Sequence, residues 1–146
     1  MSKIVVIRIR GTVGVRDNIR QTLDLLRLRR RFVCIVVDDT KEIIGMIKKS
    51  KDYVSYGKID KETLKLLIMK RGKIPGNKFL AEGGIQLETF LNDFVEGKKS
   101  FNDLGIKPFF RLHPPRGGFK KSVKGAWPKG ILGLNPKIND LVKKML

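Results

Sequence analysis

The first apolar run of the chain is Lys3-Ile-Val-Val-Ile-Arg-Ile-Arg10, and it is rich in β-branched residues. Such a run predicts a β-strand, in which successive side chains point to opposite faces. One face then carries Val5, Ile7 and Ile9. The other face carries Ile4, Val6, Arg8 and Arg10. A strand with a wholly apolar face needs a covering layer, so the sequence around it must supply helices or a second sheet.

A helix and a second strand follow this run. The turn Gly11-Thr-Val-Gly14 ends the first strand, and the apolar spacing over 15–28 predicts a helix. A basic turn, Arg29-Arg-Arg31, comes next. The continuously apolar residues 32–37 then predict a second, buried strand.

The pattern repeats once more before residue 57. Asp39 is predicted to cap a second helix, because Glu42 stands at the spacing of a capping box. Residues 53–56 predict a third strand. The order strand, helix, strand, helix, strand predicts an α+β fold. Its core has two layers, with the helices on one face of the sheet.

The composition changes after residue 57, and we predict three units. The β-α-β-α-β core spans 1–57, and a helical insertion spans 58–107 with helices over 60–69 and 86–95. A basic extension containing Gly and Pro spans 108–146. From Leu104 to Asn139 eight Lys or Arg and no acidic residue occur among 36 positions. We expect this segment to be extended, and 112–129 to be mobile in the free protein and ordered in a complex.

The strongest functional signal is charge. The 146 residues include 32 Lys or Arg and 14 Asp or Glu, a formal net charge of +18. Such an excess opposes compact folding by self-repulsion and indicates a polyanionic partner, RNA or DNA. The basic residues are spread over strands, helix ends and loops, unlike the single basic face of a membrane-surface helix. With one cysteine and no long apolar run, we predict a cytoplasmic protein without a membrane partner.

The sequence gives little indication of a catalytic site. The adjacent Asp38 and Asp39 point to opposite sides of an extended chain, Cys34 lies inside an apolar strand, and His113 is the only histidine. The Gly11–Gly14 turn lacks the third glycine of a dinucleotide loop. We therefore predict that the protein is not an enzyme and has no catalytic residue, metal site, cofactor or small-molecule substrate.

Two alternatives remain open. A nucleic-acid-processing enzyme would have to use Asp38, Asp39, Cys34 or His113, and a DNA-packaging protein would use the basic surface alone. The aromatic residues of the extension are equally ambiguous, because they either stack on unpaired bases or anchor the segment to the protein. These residues are Phe109, Phe110, Phe119 and Trp127.

Several motifs resemble the archaeal form of large-subunit ribosomal protein thirty, which is related to the eukaryotic protein numbered seven with suffix e. In the first half they are Ile7-Arg-Ile-Arg-Gly11, Thr22-Leu-Asp-Leu-Leu-Arg-Leu28 and Ile44-Gly-Met-Ile47. Further on they are Asp52-Tyr-Val-Ser-Tyr-Gly57, Glu62-Thr-Leu64 and Arg111-Leu-His-Pro-Pro-Arg-Gly-Gly118. The resemblance runs over nearly the whole chain, and the last motif is the most specific.

The resemblance implies a ferredoxin-like core whose antiparallel three-stranded sheet has the order three-one-two. It also implies a non-enzymatic constituent of the large subunit that binds ribosomal RNA near the 5S RNA, beside other ribosomal proteins. One departure is Arg27, where bacterial members commonly carry Gly. Because Gly tolerates a left-handed helix end, the sequence leaves the geometry of this turn open.

Charge and resemblance together predict which side chains neutralise RNA phosphates. Arginine is favoured because its planar fork pairs with phosphate and stacks on bases. The predicted RNA-binding residues of the core are Arg8, Arg10, Arg16, Arg20, Arg27, Arg29, Arg30, Lys48 and Lys49. Those of the extension are Arg111, Arg116, Lys120, Lys121 and Lys124. Whether the insertion contacts RNA or protein is left open.

Overall fold

A computed structural model of the chain describes residues 3–11, 13–74, 78–79, 87–98, 107–119, 122–127 and 129–146. The strands are β1 Lys3–Arg8, β2 Val33–Asp38, β3 Val54–Lys58, β4 Lys73–Ile74, β5 Lys78–Phe79, β6 Phe110–Arg111, β7 Ser122–Ala126 and β8 Gly130–Leu134. The helices are α1 Asp17–Leu25, α2 Lys41–Lys49, α3 Lys61–Arg71, α4 Leu87–Val95 and α5 Ile138–Met145. No helix within these ranges is long and apolar enough to cross a bilayer.

One sheet of six strands organises the described residues, in the order β6-β2-β1-β3-β8-β7. Strand β1 pairs antiparallel with both β2 and β3, and β8 pairs parallel with β3. The fold is therefore α+β with a mixed sheet. The three expected strands are neighbours in this sheet, in the order β2-β1-β3, and the C-terminal part of the chain adds β6 at one edge and β8 and β7 at the other.

Both faces of this sheet are covered, because α1 and α2 lie on one face and α3, α4 and α5 lie on the other. The first core combines Val5 and Ile7 of β1, and Ile9 just after it, with apolar residues of α3, α4 and α5. The second core combines Ile4 and Val6 with apolar residues of α1 and α2. The predicted division of β1 between two faces is confirmed, and each face has its own layer of helices.

The C-terminal part of the chain folds onto the rest, which differs from the extended segment expected from composition. The backbone N–H of Leu112 donates to the Phe32 carbonyl at 3.1 Å, and that of His113 donates to Met145 at 3.0 Å. The Arg116 N–H donates to Lys144 at 3.1 Å. The low apolar content of the segment is offset because Phe110 and Leu112 enter the first core.

Helix α2 begins one residue later than the sequence pattern indicates. Its N-cap is Thr40, whose hydroxyl accepts from the Ile43 N–H at 3.4 Å. Asp39 is exposed outside the helix. Thr and Asp are both good N-cap residues, so the pattern alone favoured the wrong neighbour.

Candidate nucleic-acid interface

The end of helix α1 fixes the position of Arg27. The Leu28 N–H donates to the Leu23 carbonyl at 2.8 Å, and the Arg27 N–H donates to the Asp24 carbonyl at 3.0 Å. These two bonds, with buried Leu23 and Leu28, form a Schellman motif. Arg27 has a φ of 64°. The left-handed helix end is thus kept although the residue is not Gly, and the backbone from which the exposed Arg27 side chain projects is fixed.

The basic turn after α1 meets the C-terminal part of the chain through strand pairing. Strand β2 pairs antiparallel with β6, so that Val33 lies opposite Arg111. The Phe32 N–H donates to the Arg8 carbonyl at 2.7 Å, and Phe32 itself has a φ of 66°. Arg111 therefore lies beside the turn, although more than 80 residues separate it from Arg29 and Arg30 in the sequence.

These elements enclose a pocket of about 530 Å³, which we call the arginine pocket. Its lining residues are Asp24, Leu25, Arg27, Arg29, Arg30, Val33, Phe109 and Arg111. All four arginines are exposed. Four of the predicted RNA-binding side chains are thus brought together around one concave surface, one from the end of α1, two from the turn and one from β6.

Arg8 has a different environment from the other predicted residues. Its side chain is 1% exposed, its Nη1 donates to the Leu28 carbonyl at 2.5 Å, and its Nε donates to the Arg10 carbonyl at 3.0 Å. Burial lowers the pKa of Arg8, while the Asp24 carboxylate acts in the opposite direction. Arg8 ties β1 to the loop after α1 and has no surface to offer to RNA.

The remaining predicted residues lie outside the arginine pocket. Arg10 is partly buried, with its guanidinium 5.3 Å from the centre of the Tyr53 ring. The others that the structure describes are exposed, and they are Arg16, Arg20, Lys48, Lys49, Arg116 and Lys124. Arg16 is the N-cap of α1, and only Arg20 lies within that helix. Lys120 and Lys121 lie outside the described residues.

The aromatic residues of the C-terminal part divide between two environments. Phe110 is fully buried in the first core, and Phe119 stacks on Phe32 with ring centres 6.1 Å apart. These two anchor the segment to the protein. Phe109 packs against the second core and also lines the arginine pocket, while Trp127 lines a smaller cleft of about 320 Å³.

The groups considered for catalysis are not assembled into a site. Cys34 is buried in the first core, and burial raises the pKa of its thiol. Asp38 forms an ion pair with Lys3, and His113 is exposed near the C-terminal helix. Among the described residues, no group of three or more His, Cys, Asp or Glu is placed to hold a metal ion.

Three residues of this region were not among the predicted site residues. Leu25 is 75% exposed at the pocket although it lies on an amphipathic helix. Asp24 supplies the only carboxylate among the lining residues that the structure describes. Arg31 is exposed, donates from its Nε to the Ile9 carbonyl at 2.8 Å, and lies over the Phe32 ring. The apolar spacing of α1 could have flagged Leu25, because it departs from the stripe formed by Ile19, Leu23 and Leu26.

Comparison with known proteins identifies the family. The model of the ribosomal protein L30p/L7e family matches residues 4–54. The large ribosomal subunit protein uL30 of Methanococcus maripaludis is 47% identical over 150 residues, which cover 97% of each chain. The chain belongs to the L30p/L7e family. Proteins of the same name from Archaeoglobus fulgidus and Methanobrevibacter smithii are 45% and 42% identical, over 96% and 97% of this chain.

Membership of the L30p/L7e family confirms the resemblance inferred from the motifs, including its archaeal character. The family model covers β1, α1, β2 and α2, whereas the alignments with these relatives cover 97% to 98% of each relative's length. The alignments with relatives therefore reach into the C-terminal part that supplies Phe109 and Arg111. The L30p/L7e family is one of ribosomal structural proteins and is not an enzyme family.

Proposed function

We propose that this protein is a structural constituent of the large ribosomal subunit that binds ribosomal RNA and stabilises its folded arrangement during translation. The observation that carries the proposal is the near-full-length similarity to proteins named large ribosomal subunit protein uL30. The net charge of +18 supplies the electrostatic attraction. As a ribosomal constituent the protein works in the cytoplasm, with ribosomal RNA and neighbouring ribosomal proteins as its partners.

The mechanism is phosphate neutralisation at fixed positions. Phosphate contacts orient a protein on a nucleic acid without reading its sequence, and RNA duplexes are recognised mainly by shape. The arginine pocket and the other predicted basic residues supply these contacts. The proposed contact residues are Arg10, Arg16, Arg20, Arg27, Arg29, Arg30, Lys48, Lys49, Arg111, Arg116, Lys120, Lys121 and Lys124. We leave out Arg8, because its buried guanidinium is bonded within the protein.

Three finer statements belong to the same proposal. The first five elements form a ferredoxin-like core, which is supported by the antiparallel pairing of β1 with both β2 and β3. The units 1–57, 58–107 and 108–146 differ in composition, which supports their distinct roles as RNA-binding core, helical insertion and basic extension. A position near the 5S RNA is proposed from the family resemblance alone.

Co-sedimentation with ribosomal particles in rising salt tests the proposal. Lysate of the source cells is centrifuged through sucrose at several salt concentrations, and the protein is followed by immunoblotting. We expect it to remain with the large subunit at moderate salt and to be released only at high salt. Protein that sediments free of ribosomes at every salt concentration would contradict a structural role.

A further inference from the structure

The arginine pocket has the size of a site for a small ligand. Its volume of about 530 Å³ lies within the usual range for such sites, roughly 300–1,000 Å³. A phosphate group alone would leave most of this space unfilled. The pocket is lined on its basic side by Arg27, Arg29, Arg30 and Arg111.

The other lining residues are unlike those of a pure phosphate site. Phe109 is partly buried against the second core, and Leu25 is 75% exposed, so the pocket has apolar surface that water covers in the free protein. The carboxylate of Asp24 accepts hydrogen bonds but repels anions. The aromatic ring and the apolar side chain can pack against the face of a nucleotide base, and the carboxylate can accept hydrogen bonds from the N–H groups of that base.

The backbone holds the basic side of the pocket in place. The Schellman bonds fix Arg27 at the end of α1, and the pairing of β2 with β6 fixes Arg111 opposite Val33. Side chains with fixed attachment points lose less conformational entropy when a ligand binds. The backbone on the basic side of the pocket is therefore in place before RNA arrives.

We propose that the arginine pocket receives one unstacked nucleotide of the ribosomal RNA. The base lies against Phe109 and Leu25 with its N–H groups toward Asp24, and the phosphates on either side of it meet the arginines. This inference rests on the proposed function, since it names which part of the RNA the surface holds. A binding surface for duplex backbone alone would need neither Phe109 nor Asp24.

Photochemical cross-linking tests the proposal on the unaltered protein. The full chain is bound to purified large-subunit ribosomal RNA from its own organism, irradiated with short-wave ultraviolet light, digested with nuclease and protease, and analysed by mass spectrometry. We expect a peptide in which Phe109 or a neighbouring pocket residue carries a single nucleotide. Nucleotide adducts found only on peptides outside the pocket would overturn the proposal.

A pair of variants provides the affinity test. Phe109→Leu keeps an apolar side chain against the second core but removes the ring, and we expect it to weaken RNA binding about 5- to 150-fold with an unchanged salt dependence. Lys48→Ala is the control, because Lys48 is exposed and does not line the pocket. Lys48→Ala should instead lower the salt slope, the slope of log affinity against log salt concentration, by about 1.

The outcomes separate the two proposals. Wild-type affinity for Phe109→Leu, together with salt-dependent binding by the wild type, would overturn the nucleotide pocket and leave the ribosomal function intact. Absence of salt-dependent binding by the wild type would overturn both. Should Phe109→Leu fail to fold, the cross-linking result on the wild type decides the question.

Discussion

Arg27 combines a left-handed backbone with an exposed cationic side chain. A residue with a Cβ atom costs roughly 1 kcal/mol more than Gly in this conformation. We therefore expect Arg27→Gly to raise the free energy of unfolding by about 1 kcal/mol, measured by urea denaturation. The same variant should bind ribosomal RNA more weakly, because a contact at the arginine pocket is lost. Arg27 would thus lower the stability of the folded protein while it raises the affinity for RNA.

Arg27→Ala is the matched control for this prediction. It removes the same charge but retains a Cβ atom at a φ of 64°, so it should lose RNA affinity without the gain in stability. Equal unfolding free energies for Arg27→Gly and Arg27→Ala would show that the left-handed backbone is not strained in this turn.

Arg8 stabilises the fold and does not contact RNA. Its guanidinium makes two hydrogen bonds to backbone carbonyls inside the protein, and each such bond of a charged group contributes about 1.5–3 kcal/mol. We expect Arg8→Ala to lower the free energy of unfolding by about 3 kcal/mol in urea denaturation. The salt slope for RNA binding, measured at a temperature where the variant is folded, should stay at the wild-type value.

Arg10→Ala provides the comparison from the same strand region. The Arg10 guanidinium lies over the Tyr53 ring, a contact that stabilises by about 0.5–1 kcal/mol at a partly exposed site. Its removal should therefore cost about 1 kcal/mol or less and should also reduce RNA affinity. A larger stability loss for Arg10→Ala than for Arg8→Ala would contradict the assignment of roles.

The opposite environments of Arg8 and Arg10 show what sequence alone can predict at this scale. Alternation assigned both residues to the face of the predicted strand that carries Ile4 and Val6, whereas β1 itself ends at Arg8. The burial of Arg8 depends on the Leu28 carbonyl, which comes from a turn 20 residues away along the chain. A pattern within one strand carries no information about that partner, so both arginines were expected to contact RNA.

At the level of elements, the close approach of α5 to β3 depends on Gly57. A Cβ atom at this position would lie 2.6 Å from the Asn135 carbonyl oxygen and 2.8 Å from Cγ2 of Ile138. Crowding of this kind typically costs about 1–3 kcal/mol. We therefore expect Gly57→Ala to lower the free energy of unfolding by about 2 kcal/mol or more, as measured by chemical denaturation.

Gly45→Ala is the control for added bulk. Gly45 lies in the middle of α2, and a Cβ atom there meets none of the described residues within 4 Å apart from its own helix. Because Ala is more favourable than Gly in a helix interior, we expect Gly45→Ala to be more stable than the wild type by about 0.5–1 kcal/mol. A comparable gain from Gly57→Ala would mean that α5 does not pack closely on β3.

The elements that the sequence predicted correctly are those with a local signal. Strands β1 and β2 and helices α1 to α4 have apolar runs or helical spacing within a single segment. Strand β6 has only two residues, and the pairing of β7 with β8 is irregular in register. Their places in the sheet depend on partners far away in the chain. The mixed six-stranded sheet and the arginine pocket therefore could not be read from local patterns.

For the whole molecule, the placement of charge should matter more than its total. Arg29 and Arg30 line the arginine pocket, whereas Lys143 and Lys144 lie in the last turn of α5. We compare Arg29→Ala/Arg30→Ala with Lys143→Ala/Lys144→Ala, since each pair removes two positive charges. RNA affinity is measured by filter binding between about 50 and 200 mM salt, a range over which 6–10 phosphate contacts lower it by about 10³–10⁵.

If the arginine pocket is the main contact surface, the two pairs will differ. Each lost phosphate contact lowers the salt slope by about 1, so the arginine pair should lower it by nearly 2. The lysine pair should change it by less than about half of that, because long-range attraction is largely screened beyond about 10 Å at 0.1 M salt. Equal slopes for the two pairs would mean that RNA binding follows net charge, and the proposed interface would then have to be abandoned.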